Sequence, residues 1–325
     1  MRAAYYEKNG SAREVLTVAE VETPQPGPGE VRVRLKTSGV NPSDVKAREG
    51  RTRKIGYPRV IPHSDGAGEI DMVGDGVPAT RKGERVWVWN GQWKRPSGTC
   101  AEYIVVPQAL ASPLPASASF EAGACLGIPA MTAYHAVAVS GAGKGSKVLV
   151  TGGAGGVGHY AIQFAKARGA TVLATVSSEA KAALARQAGA DHPIDYKREN
   201  VGERVMALTG KTGVDAVIEM DLAANAKHHP GWLRPRGHIV VYGTGHAEAT
   251  IPAQPSLVNA MKIEFVYVYE LTAEERAAAV SAINRMLENQ TLINNVALSL
   301  PLGDIAAAHE AVEQGKTMGN VVVTL

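Results

Sequence analysis

The stretch Lys147-Val148-Leu149-Val150-Thr151-Gly152-Gly153-Ala154-Gly155-Gly156-Val157-Gly158 decides the fold. An apolar, β-branched run leads straight into the pattern G-x-G-x-x-G, formed by Gly153, Gly155 and Gly158, and residues 159–168 then read as a helix. Glycines at these positions allow a tight turn, a close approach of backbone N–H groups to a pyrophosphate, and close packing of the helix on the strand. Strand, loop and helix together predict a dinucleotide-binding site.

The chain around this stretch alternates between strands and helices. Six apolar runs predict strands at 147–151, 171–176, 192–194, 214–219, 238–242 and 263–268. Helical stretches lie between several of them, and the first follows the glycine loop. Gly156 and Val157 belong to that loop, and the free N–H groups at the start of the helix favour an anion. We therefore expect an α/β fold, a doubly wound parallel sheet of the Rossmann type, over residues 123–268.

The two flanking regions have different patterns. Residues 1–122 contain period-two strands such as Val31–Leu35 and Gly83–Trp89, separated by Pro-Gly turns, which predicts a barrel-like β domain. The tail, 269–325, offers a helix and a final Val-rich strand that have no place in the parallel sheet. We expect this segment to return to the β domain.

Length and composition limit the classes of protein. A chain of 325 residues favours two domains. The net charge is +3 and the sequence has no run of Lys or Arg, so its charge pattern does not favour a nucleic-acid partner. Because we find neither a signal peptide nor about 18 consecutive apolar residues, we expect a cytoplasmic protein with no membrane partner. Two cysteines exclude a disulfide framework and a four-cysteine zinc lobe.

The end of the second predicted strand favours NADPH as the cofactor. Val176 is followed by Ser177 and Ser178, with Lys181 nearby and no carboxylate at the position that usually accepts the ribose 2′-OH of NAD. Hydroxyl groups and an ammonium suit a 2′-phosphate. The alternative is that a serine only caps the next helix and Lys181 is a solvated charge. Both roles are compatible.

Several segments, in the same order, are similar to one enzyme family. The matching segments are Gly39–Asp44, His63–Gly68, Ile128–Tyr134, the glycine loop, Ile218–Met220 and His309-Glu310. On these segments the chain resembles the quinone oxidoreductase (zeta-crystallin-like) branch of the medium-chain dehydrogenase/reductase, or zinc-type alcohol dehydrogenase, superfamily over essentially its whole length. The resemblance implies a GroES-like β-barrel domain and NADPH-dependent reduction of quinones or similar conjugated carbonyls.

The resemblance also predicts that no metal is bound. Zinc-dependent relatives have Cys and His-Glu where this chain has Asn41 and Ser64-Asp65, and neither Asn nor Ser is a good zinc ligand. His63 lies one residue too early. Without a Lewis acid, hydride must go to an acceptor that is already electrophilic, such as a quinone or an α,β-unsaturated carbonyl.

Residue roles follow from the same resemblance. Asn41 would donate a hydrogen bond to the acceptor oxygen or the nicotinamide ribose, and Asp44 would orient it. The competing interpretation is an Asx turn that starts a helix. Further positions that match the cofactor-binding residues of the family are Thr132, Tyr196, Asn225, Gly243, Thr244, Val266, Tyr267 and Val268.

Three other features complete the predictions. Trp87 and Trp89 share a strand face and should pack in the core, whereas Trp93 is a candidate wall for a quinone. The strand 262–269 should lie at a sheet edge and invite pairing, so a homo-oligomer, dimer or tetramer, is expected. Paired histidines, His228-His229, would indicate a metal only if other ligands converged, and none is near in sequence.

Three functions remain open at this point. The first is an NADPH:quinone oxidoreductase. The second is an NADPH-dependent alkenal or enone reductase, which uses the same hydride on a carbon-carbon double bond. The third is an NADPH-binding protein with an RNA-binding or structural role, because relatives that resemble this chain serve in those ways.

Overall fold

The computed structural model describes all 325 residues, which divide into two compact units. The first unit comprises Met1–Pro129 and Val280–Leu325, and the second comprises Ala130–Ala279. The first unit extends beyond residue 122 and includes Ile128, whose backbone N–H donates to the buried side chain of Asp65, at 2.9 Å. No helix combines the length and the apolar character needed to cross a membrane.

The amino-terminal segment of the first unit is mostly β-structure. Its strands are β1 (Arg2–Tyr5), β2 (Thr17–Glu20), β3 (Glu30–Val40), β4 (Asp65–Val73), β5 (Arg85–Val88), β6 (Tyr103–Pro107) and β7 (Ala111–Pro113). Its helices are α1 (Ala12–Val15), α2 (Pro42–Glu49) and α3 (Phe120–Gly123).

The next part of the chain alternates between helices and strands. The strands are β8 (Lys147–Val150), β9 (Thr171–Val176), β10 (His192–Asp195), β11 (Val214–Glu219), β12 (Leu233–Val241) and β13 (Lys262–Phe265). The helices are α4 (Met131–Val139), α5 (Gly156–Ala167), α6 (Glu179–Gln187), α7 (Val201–Leu208), α8 (Leu222–Asn225), α9 (Ala253–Val258) and α10 (Ala273–Glu288). The chain ends with β14 (Val296–Pro301), α11 (Ile305–Glu313) and β15 (Asn320–Thr324).

A seven-stranded sheet with the order β14-β15-β3-β4-β5-β7, and with β6 paired to β3, organises the first unit. One edge of the long strand β3 is shared, because Glu30–Arg34 pair with β6 and Thr37–Val40 pair with β15. Alternate residues of β3, namely Val31, Val33 and Leu35, are buried in an apolar core. The carboxyl-terminal segment thus contributes two strands to this sheet.

The second unit contains the doubly wound parallel sheet predicted from the sequence, which is confirmed with the order β10-β9-β8-β11-β12-β13. The order reverses between β8 and β11, so the carboxyl ends of these two strands are neighbours at the place where such sheets bind ligands. The prediction of a sixth strand that continues to Val268 is wrong at its end. Strand β13 stops at Phe265, and Val268–Glu270 form a short 3-10 helix.

Candidate functional site

The glycine loop between β8 and α5 is a tight turn. The N–H of Gly155 donates to the carbonyl of Gly152 at 3.0 Å, and no side chain caps the amino terminus of α5. A Cβ on Gly158 would lie 2.2 Å from the carbonyl oxygen of Gly152, and a Cβ on Gly153 would lie 2.8 Å from the Cβ of Ala174. Both positions therefore require glycine, and the uncapped helix leaves N–H groups for an anion.

The residues predicted to select the cofactor lie where β9 ends and α6 begins. The hydroxyl of Ser178 accepts from the N–H of Lys181 at 3.3 Å, so Ser178 does cap α6. Glu179 forms an ion pair with Arg186 at 2.6 Å rather than with Lys181. Ser177 and Lys181 are both half-buried. The capping role thus exists and leaves the Lys181 ammonium for another anion.

Most of the other predicted cofactor residues follow the carboxyl ends of parallel strands. Tyr196 comes after β10 and is 53% exposed, and Asn225 ends α8 after β11. A turn after β12 contains Gly243 and Thr244, and Gly243 is tight because a Cβ would lie 2.4 Å from the Met220 carbonyl oxygen. After β13 come Val266 and Val268, which are buried, and Tyr267, which is 55% exposed; Thr132 is buried on α4.

Sequence reasoning missed a buried carboxylate at the reversal of strand order. Glu219, the last residue of β11, is 0% exposed. Its Oε1 accepts from the Thr151 hydroxyl at 2.9 Å, the Asp221 N–H at 2.6 Å and the Asn225 amide at 3.0 Å. Its Oε2 is 2.8 Å from Nε2 of His229, which is also buried. An acid that ends an otherwise apolar strand was the signal for this cluster.

A second buried carboxylate holds Asn41 in the first unit. The Asn41 amide donates to Oδ2 of Asp65 at 2.7 Å, and the N–H of Ile128 reaches both oxygens of Asp65. Asp44 accepts from the backbone N–H of Asn41, at 2.8 Å. Asp65 thus orients the Asn41 carboxamide, and Asp44 holds the Asn41 backbone at the start of α2, as the alternative interpretation expected. That Asp44 also helps to orient Asn41 stays a prediction.

Burial changes the ionisation of both acids. Loss of solvent raises the pKa of Asp44 to about 7, and hydrogen bonding by Asn41 and the charge of Arg53 oppose that rise. Burial also raises the pKa of Asp65 well above its usual value; the Ile128 N–H opposes the rise, and the neighbouring charge of Asp44 adds to it. The Asn41 site thus contains two carboxyl groups that favour the protonated form more than ordinary surface acids do.

A buried chain of hydroxyls and imidazoles supports this cluster. Thr99 donates to the Asp65 carbonyl at 2.5 Å, so the Ser38 hydroxyl, 2.7 Å away, must donate to Thr99. The Nδ1–H of His63 then donates to Ser38 at 2.8 Å, and Nε2 of His63 accepts from His309 at 2.9 Å. Burial lowers the pKa of His63 to about 3, and it lowers that of His309 as well. The neutral form is therefore favoured for both imidazoles.

The residues at the positions of the zinc ligands do not fit a metal. Both oxygens of Asp65 already accept hydrogen bonds, and Asn41 presents an N–H to that carboxylate. His63 uses both ring nitrogens in the chain described above. No group of three or more His, Cys, Asp or Glu residues could hold a metal ion.

The tryptophans divide into two environments. Trp87 and Trp89 are buried, and their indole N–H groups donate to Asn284 at 3.1 Å and to Ser112 at 3.3 Å. Trp93 is half-buried, and Arg53 and Lys94 lie 5.8 Å and 5.4 Å from its ring centroid. Its ring thus carries two cations, a setting that suits a negatively charged partner.

A parallel sheet with a dinucleotide loop, in one chain with a β-rich unit, defines a nucleotide-dependent dehydrogenase or reductase. Family models agree: residues 27–116 match the alcohol dehydrogenase GroES-like domain, and residues 156–285 match the zinc-binding dehydrogenase domain. The chain is 32% identical to the quinone oxidoreductase of Rattus norvegicus, over 100% of this chain and 98% of the relative. It belongs to the quinone oxidoreductase branch of the medium-chain dehydrogenase/reductase superfamily and is an oxidoreductase.

Other relatives have names that indicate different substrates or cofactors. A 2-haloacrylate reductase from a Burkholderia species is 29% identical over 99% of this chain and 98% of its own length. An NAD-dependent alcohol dehydrogenase structure has a TM-score of 0.92 at 31% identity, with both chains covered over 100%. A mycobacterial protein complexed with NADPH has a TM-score of 0.87 at 29% identity, again with 100% of both chains covered. The fold is therefore shared by enzymes with different acceptors.

Proposed function

We propose that this protein is an NADPH-dependent, zinc-independent oxidoreductase that transfers hydride to quinones. The observation that carries the proposal is the glycine loop, with its uncapped helix at the reversal of strand order. The hydrogen bonds of Asn41 and Asp65 also support the proposal. Because these residues do not fit a metal, the acceptor has to be electrophilic by itself, as a quinone is.

NADPH is the cofactor in this proposal, and it supplies a hydride when bound. The N–H groups of Gly156, Val157 and Gly158 hold the pyrophosphate, whereas Ser177, Ser178 and Lys181 hold the 2′-phosphate. The similarity to the mycobacterial NADPH complex supports this choice. Residues assigned to the remaining parts of the dinucleotide are Thr132, Tyr196, Asn225, Gly243, Thr244, Val266, Tyr267 and Val268.

Asn41 is assigned to the acceptor. A carboxamide has two N–H bonds, and Asp65 takes one of them, which fixes the direction of the other. The second N–H would donate to the acceptor oxygen, where negative charge develops as hydride arrives. Asp44 holds the backbone of Asn41 at the start of α2, so it would position Asn41.

The cofactor assignment is tested with Lys181→Ala. Loss of a charge-assisted hydrogen bond to phosphate should weaken NADPH binding by roughly tenfold to a hundredfold and leave NADH binding nearly unchanged. Lys144→Ala, an exposed lysine before the amino end of β8, is the matched control. Equal losses for the two cofactors in the Lys181 variant would remove this residue from the 2′-phosphate site.

The acceptor assignment is tested by following NADPH oxidation with benzoquinone and a naphthoquinone, against neutral enones and unsaturated carboxylates. A higher kcat/KM for the quinones is expected. NADPH binding without turnover of any acceptor would contradict an enzymatic role and favour a binding protein.

One observation favours the second candidate, a reductase of carbon-carbon double bonds. The guanidinium of Arg53 pairs with the Gln92 amide oxygen and covers Trp93. An unsaturated carboxylate would match this charge, and the similarity to a 2-haloacrylate reductase agrees. A large kcat/KM preference for unsaturated carboxylates that Arg53→Gln abolishes would establish this alternative.

A homo-oligomer completes the proposal. Strand β13 is the edge of the parallel sheet and carries Phe265, which is 70% exposed. Leu257 and Val258, at the end of the neighbouring α9, are 81% and 76% exposed. We propose that a second copy pairs with this edge. Light scattering of Phe265→Lys should show a loss of the oligomer, and a wild-type monomer would refute it.

A further inference from the structure

The histidine pair His228-His229 has two different environments in the second unit. His228 is exposed and stacks on Trp232, with ring centroids 5.7 Å apart. His229 is 1% exposed, contacts the same tryptophan edge-on at 5.4 Å, and directs Nε2 at the Glu219 carboxylate. Only the second histidine therefore reaches the end of strand β11.

We propose that His229 is a positioning residue of the dinucleotide site, acting through Glu219 on Asn225 and Thr151. The inference rests on the proposed NADPH-dependent function and adds a residue to it. His229 itself touches neither cofactor nor acceptor in this assignment. Its effect passes through the carboxylate that it shares with two groups at the carboxyl edge of the parallel sheet.

The first step of the argument is the connection from Glu219 to the glycine loop. Thr151 follows β8 immediately, and its hydroxyl both donates to Glu219 and accepts from the Met220 N–H at 2.9 Å. The Thr151 N–H donates to the Ile218 carbonyl at 3.0 Å. The next residue, Gly152, has a φ of +68° and is the first of the loop. A shift of Glu219 would thus move the point at which the loop leaves β8.

The second step concerns Asn225. This residue is predicted to contact the nicotinamide half of the dinucleotide, and its amide donates to Oε1 of Glu219. The same oxygen also accepts from Thr151 and Asp221. These three donors hold Oε1, but the carboxylate plane can still turn about that oxygen unless a donor holds Oε2 as well. His229 is the one donor to Oε2. Without it, the carboxylate would have a bare buried oxygen and would rotate toward its remaining donors.

The third step is that packing keeps His229 in place. Trp232 is 5% exposed and belongs to an apolar cluster with Leu222 and Ala226, on either side of Asn225 in sequence. The imidazole therefore has an apolar wall on one side and the carboxylate on the other. A side chain with a fixed rotamer can orient its partner, which a mobile surface histidine cannot do.

The experiment compares His229→Leu and His229→Gln with the exposed control His228→Ala. NADPH affinity is measured directly by the fluorescence of the bound nicotinamide, and kcat and KM are measured with a quinone. The Leu variant should weaken NADPH binding by roughly tenfold, because the buried Glu219 carboxyl group loses a hydrogen bond, and should raise the KM for NADPH more than it lowers kcat. The Gln variant, which keeps an N–H donor, should recover part of the affinity, and the control should match the wild type.

Coupling to Asn225 separates positioning from general stabilisation. In a double-mutant cycle, His229→Leu should have a smaller effect on NADPH affinity once Asn225→Ala is present, and the remaining effect passes through Thr151. Independent effects of the two substitutions, or wild-type affinity in both His229 variants, would overturn the inference. Should the Leu variant fail to fold, the Gln variant and its cycle with Asn225→Ala decide the outcome. A wild-type chain that does not bind NADPH would instead refute the proposed function.

Discussion

Asp65 in the first unit and Glu219 in the second are both carboxylates with 0% exposure at the end of a strand, but they are stabilised differently. Glu219 has four donors, which are a hydroxyl, a backbone N–H, an amide and an imidazole. Asp65 has two, Asn41 and Ile128, and a second acid, Asp44, adds to the rise of its pKa. The comparison teaches that burial alone does not describe a carboxyl group, because its hydrogen-bond donors and neighbouring charges differ from one site to the next.

The largest effect should come from removing the better satisfied acid. Glu219→Leu would leave buried donors from Thr151, Asn225 and His229 without an acceptor, so the free energy of unfolding should fall by roughly 3–5 kcal/mol. Urea-induced unfolding measures this change. Glu203→Leu, on the exposed face of α7, is the control and should stay within about 0.5 kcal/mol of the wild type. A Glu219 variant of wild-type stability would show that the hydrogen-bond network contributes little.

The next effect concerns the neutral imidazoles beside Asp65. Because burial lowers the pKa of His309, the native state binds fewer protons than the unfolded chain; stability is full above about pH 6.5 and falls as the pH decreases. The variant His309→Gln keeps a donor for His63, but its unfolded chain no longer binds a proton at position 309. Between pH 6.5 and 5.0 the variant should therefore gain about 2 kcal/mol relative to the wild type. Parallel pH profiles of unfolding would contradict this assignment.

Asp44 should act in the opposite direction. Burial raises its pKa from 3.8 to about 7, so the native state binds more protons than the unfolded chain, and this stability is lost as the pH rises through 7. Relative to Asp44→Asn, the wild type should gain about 1–2 kcal/mol between pH 6.5 and 5.0. Thermal unfolding of both proteins over this range measures the difference. A wild type that gains nothing would mean that Asp44 is ionised throughout.

How far the sequence predicts these clusters depends on the distance between their members. The parallel sheet was predictable because each strand is a local run of apolar residues, and the helix cap at Ser178 was predictable for the same local reason. The early start of β12 was not predictable, because Pro235 and Gly237 within it indicate a turn.

The buried residues that support the Asn41 site could not be predicted from the sequence, for a physical reason. His63 and His309 are 246 positions apart, and only the return of the carboxyl-terminal segment brings their rings into contact. The replacement of zinc ligands by Asn41 and Ser64 was readable from aligned segments. The identity of the group that orients Asn41 was not, because Asp65 reaches it across paired strands rather than along the chain.

The smallest effect should come from neutralising the other acid, Asp65→Asn. Oδ2 of Asp65 accepts from both the Asn41 amide, at 2.7 Å, and the Ile128 N–H, at 2.9 Å, so a single amide oxygen can serve both donors. Stability should change by less than about 1 kcal/mol, and quinone reduction should persist, whereas Asp65→Leu should cost about 2–3 kcal/mol. Calorimetry and the NADPH assay test both variants. If Asn is as damaging as Leu, then Asp65 functions as an anion despite its raised pKa.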